Sequence, residues 1–125
     1  MTELKLMQLR HEINTWKRML GFLQEENIHL KNRLSDVLKD RFDKSLLDGV
    51  EGFQTNFIKE DEVISYLKKE VAEVEYLLQD EIVNDEQQNY PIIKRIENIK
   101  KHLDYAERDF AKINNEFNNY LSENL

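Results

Sequence analysis

Glu26 and His29 stand three residues apart, the Glu-x-x-His spacing with which helical bundles hold paired iron ions. Such a centre needs two of these motifs and two further glutamates, all turned inward. His102 has Ile99 three residues before it, so the second motif is missing. His11, His29 and His102 are the only histidines, and none has a second ligand at the spacing that zinc sites use. The chain has no cysteine, which removes disulfides, thiolate nucleophiles and thiolate metal sites. Its serines, Ser35, Ser45, Ser65 and Ser122, lie in no strand-turn-helix elbow. Gly21, Gly49 and Gly52 match no phosphate-binding loop. Carboxylate pairs such as Glu73/Glu75 and Asp80/Glu81 are frequent, but acid–base work needs them in a cleft that shifts their pKa values. A solvated acidic face is the simpler reading. The expectation is therefore a chain without catalytic, cofactor-binding or metal-ligating residues.

The elements that would position such groups are helices. Glycine and proline number three and one in 125 residues, so few points exist at which regular structure is broken. Three segments carry large apolar residues at alternating spacings of four and three. The first runs Leu6, Leu9, Ile13, Trp16, Leu20, Leu23, Asn27, Leu30, Leu34 and Val37. The second runs Leu46, Val50, Phe53, Phe57, Glu60, Ile64, Leu67, Val71, Val74 and Leu78. The third runs Ile92, Ile96, Ile99, Leu103, Ala106, Phe110, Ile113, Phe117 and Tyr120. That alternation averages 3.5 residues and keeps one apolar stripe on one side of a slightly underwound helix.

Phase places the turns. The first stripe slips between Val37 and Leu46, which puts a turn near Arg41–Ser45, with Asp43 as the cap of the next helix and Phe42 and Leu47 as its hydrophobic staple. The competing turn at Asp48–Gly52 is disfavoured because the second stripe runs through both glycines without slipping. The polar run Asn84–Asn89 forms the second turn, and Pro91 suits the first turn of the helix that follows. The predicted helices span about 2–41, 44–83 and 90–122 of a single domain, 1–125. Three stripes joined by short connections predict an all-α fold, an up-down-up antiparallel three-helix bundle of long coiled-coil-like helices. The main rival is a dimer in which a long helix pairs across chains.

Charge narrows the partners. The net charge is −7, distributed as +2 over residues 1–41, −9 over 42–90 and 0 over 91–125. An acidic segment between neutral ones suits pairing of neighbouring helices and argues against general nucleic-acid binding. Lys94, Arg95, Lys100 and Lys101 make only a small basic patch, interrupted by Glu97. The longest apolar run, Met19–Leu23, is far short of a membrane span. Met1–Glu12 mixes charges among its leucines, unlike a secretory signal, and the expected location is the cytoplasm.

Some residues point beyond a stand-alone bundle. Asn27 falls at an a position, where a buried amide can fix register and oligomeric state. Glu12 with Lys17, and Glu26 with Lys31, occupy the g and following e positions that pair across parallel dimers. Met7, Phe22 and Ile28 lie off the stripe at b and c. Tyr66, Tyr76 and Tyr105 fall at c or f. The functional expectation is a non-enzymatic helical interaction or scaffold module that forms a homodimer or larger assembly, with Met7, Trp16, Phe22, Asn27 and Ile28 near the contact. A metal- or ligand-binding bundle is the alternative. It would need inward polar groups at matching heights, for which the stripes offer Asn27 and Glu60.

Overall fold

A computed structural model describes residues 2–40, 44–79 and 86–124. It contains three α-helices: α1 (Glu3–Asp40), α2 (Lys44–Leu78) and α3 (Glu86–Asn124). Among the described residues there is no strand. Cross-helix contacts fix the directions. Arg10 reaches the Leu78 carbonyl at 3.3 Å, Lys17 bonds Glu75 at 2.6 Å, and Lys31 bonds Asp61 at 2.5 Å, so α1 and α2 run antiparallel. Arg95 binds Glu70 near one end of α3, and Tyr120 binds the Leu46 carbonyl near the other, so α2 and α3 also run antiparallel. The architecture is the all-α three-helix bundle that the stripes predict. α2 packs closely on both neighbours, while α1 and α3 meet more sparsely.

Each stripe becomes one wall of a continuous core. Every member of the first is buried except Leu6 and Val37, and every member of the second except Phe53; those three pack partly buried against the core. The third stripe behaves likewise, with Ile92 and Tyr120 partly buried, and it extends one residue further to a buried Leu121. Burying one large aliphatic or aromatic side chain contributes roughly 1.5–3 kcal/mol, which explains why the helices fold onto one another rather than standing apart. Thr2 caps α1, its hydroxyl oxygen accepting from the Lys5 backbone N–H at 3.1 Å.

Helix boundaries depart from the expectation at the second connection. α2 ends at Leu78, and the Gln79 N–H closes a tight turn on the Tyr76 carbonyl at 3.1 Å, whereas the stripe pattern suggested helix to residue 83. Leu78 is the last described member of the seam, and residues 80–83 of the expected helix lie outside the described residues. α3 begins at Glu86, four residues earlier than expected, so Glu86–Asn89 are helical and not turn. Pro91 consequently lies in the second turn of α3 and not the first. Its missing N–H costs one intrahelical hydrogen bond there, close to an end where donors are unpaired in any case. Gly49 and Gly52 both lie inside α2, as the unbroken stripe requires. The cap assigned to Asp43 and the staple through Phe42 lie outside the described residues.

Near the first connection, α2 and α3 form an aromatic layer. The Phe53 and Phe117 centroids are 5.2 Å apart, Phe57 meets Phe117 edge-on at 5.2 Å, and Phe53 stacks at a tilt on Tyr120 at 5.2 Å. The Arg33 guanidinium of α1 lies 5.7 Å from the Phe117 ring centre. Tyr120 crosses α2 directly over Gly49, and donates its hydroxyl hydrogen to the Leu46 carbonyl at 3.1 Å.

Candidate functional site

The residues expected at an interface separate into two sets. Met7, Phe22 and Ile28 are exposed on the outer flank of α1. Trp16 and Asn27 are buried inside the bundle, and a partner cannot reach them without displacing a helix. The amide nitrogen of Asn27 donates to the Phe57 carbonyl at 2.9 Å and to Asp61 at 2.7 Å, both within the same chain. Its polar role is thus met by α2. The g-to-e pairs expected across a dimer are likewise replaced: Lys17 pairs with Glu75 and Lys31 with Asp61.

Glu26 is half-buried and His29 exposed on the same helix. Among the described residues, no three His, Cys, Asp or Glu side chains gather as metal ligands.

Two features combine elements in ways the sequence does not show directly. The first is a polar layer at mid-length. Asn27 of α1, Glu60 and Asp61 of α2, and Asp109 of α3 come to similar heights. Glu60 is only 3% exposed and its carboxyl is hydrogen-bonded to that of Asp109. Burial, then the hydrogen bond and charge of Asp109, push the Glu60 pKa up from 4.5 to about 7. Lys31 neutralises Asp61, whereas the buried Asn27 Oδ1 accepts no hydrogen bond.

The second is an outer groove between α2 and α3. Val63 and Tyr66 of α2 and His102 and Tyr105 of α3 line an open, largely apolar hollow of about 360 Å³, with Leu67 at its floor and Glu62 at its rim. A neighbouring hollow of about 440 Å³ runs on past Lys69, Glu73, Tyr76 and Arg95. Tyr66 is 54% exposed and Tyr105 68%. Arg95 closes the boundary between the helices by binding Glu70 at 2.9 Å and also Glu73, contacts that raise its pKa further above its ordinary value, Glu73 foremost. On the outward side of α3 the exposed Lys94, Lys101, Arg108 and Lys112 carry positive charge, while Glu62 and Glu73 on α2 carry negative charge.

The groove residues were missed as a set because Tyr66 and Tyr105 read singly as scattered surface aromatics. Their shared neighbourhood depends on the axial offset of α2 against α3. The g positions Val63 and His102 carried the available signal, since g of one helix faces g of an antiparallel neighbour.

No helix among the described residues is long and apolar enough to cross a membrane. No protein-family model matches the chain, and neither a curated protein nor a solved structure matches it significantly.

Proposed function

We propose that the chain is a non-enzymatic helical interaction module that self-associates, with the outer α2–α3 groove as its contact face. The single observation that carries the reading is this groove, where Tyr66, Tyr105 and Val63 remain exposed together after all three core stripes have been used. Contiguous exposed apolar surface with aromatic side chains is the usual mark of a contact site.

Charge supports a second copy as the occupant. A two-fold axis parallel to the helices sets α2 of one protomer against α3 of its partner and preserves height. Glu62 and Glu73 of one copy then face the basic side of α3, where Lys94, Lys101 and Arg108 stand, and the tyrosines of the two copies meet near the centre. The pairing is reciprocal, as an isologous interface requires.

Light scattering over a range of protein concentrations tests the proposal. A dimeric mass is expected in low salt, falling towards the monomer when Tyr66 and Tyr105 are both replaced by serine. A monomeric mass at every concentration would sink the reading, as would a dimer indifferent to the double substitution. In cytoplasmic conditions the contact is expected to weaken as ionic strength rises, because exposed charges are screened within about 8 Å.

A further inference from the structure

We propose that Glu60 and Asp109 form a shared-proton clasp across the α2–α3 seam, which holds the bundle most tightly when the pair carries one proton and loosens it when the pair carries none. Burial alone makes a negative charge on Glu60 costly here. Glu60 occupies a seam position between Phe57 and Ile64, both fully buried, and is itself almost inaccessible. Its carboxyl meets the half-buried Asp109 carboxyl from the facing helix. Two touching carboxylates in such surroundings do not both ionise at ordinary cost.

The other charged groups of the layer do not relieve the pair. From α1, the neutral Asn27 amide nitrogen is committed to Phe57 and Asp61, and the Lys31 ammonium lies on Asp61 at 2.5 Å. From α2, Asp61 adds another negative charge, already taken up by Lys31. On α3, Arg108 and Lys112 flank Asp109 in sequence but are exposed, and the Arg108 guanidinium turns back to the Asp104 carbonyl. Among the described residues no ion pair includes Glu60 or Asp109. The proton resides on Glu60, whose deeper burial penalises its charge more, and the O–H donates to a carboxylate oxygen of Asp109.

The direction of the pH effect follows from a folded pKa of about 7 against an ordinary value of 4.5. The folded state binds the proton more tightly than the unfolded chain. The clasp therefore contributes fully below about pH 4.5 and is lost as pH rises through 7.

Equilibrium denaturation of the full chain between pH 5.5 and 8.5 tests this, alongside a carbon-detected NMR titration of the Glu60 carboxyl in the native protein. The unfolding equilibrium constant is expected to rise on the order of thirtyfold across that range, with Glu60 titrating near neutrality. Glu60→Gln is expected to flatten the rise, and Asp109→Asn to move the Glu60 titration downward. An unchanged pH slope in Glu60→Gln overturns the proposal. A Glu60 carboxyl that titrates like an exposed glutamate overturns it independently, whether or not the variants fold.

Discussion

The aromatic end of the bundle and its polar middle are built on the same stripes, yet they are held by different forces. At the aromatic end, Phe53, Phe57, Phe117 and Tyr120 fill the space between α2 and α3, and the one hydrogen bond from a side chain among them, Tyr120 to Leu46, is satisfied. In the middle, the same core positions are given to Asn27 and Glu60, and Asp109 joins them from the edge of α3. The first region gains from area removed from water. The second loses some of that gain to desolvated polar atoms, and in return becomes sensitive to protons and particular about register. A three-helix bundle can therefore place its strongest and its most adjustable layer on one continuous seam.

The largest way to break the comparison is at the aromatic end. Phe57 is fully buried and touches both Phe53 and Phe117. Phe57→Ala removes a ring from a closely packed layer and is expected to destabilise the chain by about 3–5 kcal/mol, measured by urea denaturation. A loss below about 1 kcal/mol would mean that the layer collapses easily and is not the firm end of the molecule. In the middle, Asn27→Leu is expected to act in the opposite direction. It replaces an amide whose oxygen is buried without a donor, and the Lys31 pairing leaves Asp61 partnered. A gain of about 1 kcal/mol is expected, with the oligomeric mass unchanged, because the amide's partners lie within the chain. A fall in stability would show that the two hydrogen bonds donated by Asn27 outweigh its orphaned oxygen.

The glycines sharpen the same contrast at smaller scale. A methyl group on Gly21 or Gly52 meets nothing within 4 Å, so alanine at either site is expected to raise stability by roughly 0.5–1 kcal/mol through helix propensity alone. On Gly49 the same methyl carbon would lie 2.6 Å from Cζ of Tyr120. Gly49→Ala must swing that ring away from Phe53 and break its bond to Leu46, so the propensity gain is expected to be cancelled or reversed. Thermal unfolding of the three single variants decides it, and a Gly49→Ala protein as stabilised as the other two would show that the ring moves freely.

Much of this organisation was legible in the spacing of apolar residues, because burial on a long helix follows a fixed period and each stripe had only other stripes to meet. Asn27 and Glu60 stood out for the same reason, as polar residues at positions the period assigns to the core. Asp109 did not, since a g residue shows its surroundings only once the facing helix is set in register. The same missing offset hid the Tyr66–Tyr105 groove and led Lys17 and Lys31 to be read as partners of a second chain when Glu75 and Asp61 take them up. Asn89 escaped notice because the polar run around it resembles a turn, while the structure winds it into α3 and buries it.

The smallest effect separates the pairs that flank the two regions. Lys17 and Glu75 remain 46% and 32% exposed in their side chains, so water and salt screen most of their attraction. Lys17→Ala is expected to cost no more than about 0.5 kcal/mol, and less in high salt. Lys31 is comparably exposed, but its Asp61 partner also accepts from the buried Asn27 amide beside the Glu60–Asp109 pair. Removing Lys31 leaves a second uncompensated carboxylate next to that layer. Lys31→Ala should therefore cost more than Lys17→Ala, and its cost should grow as pH rises and Glu60 ionises. Denaturation of both variants at pH 6 and pH 8 tests the difference; equal losses that ignore pH would show that the polar layer does not feel its rim.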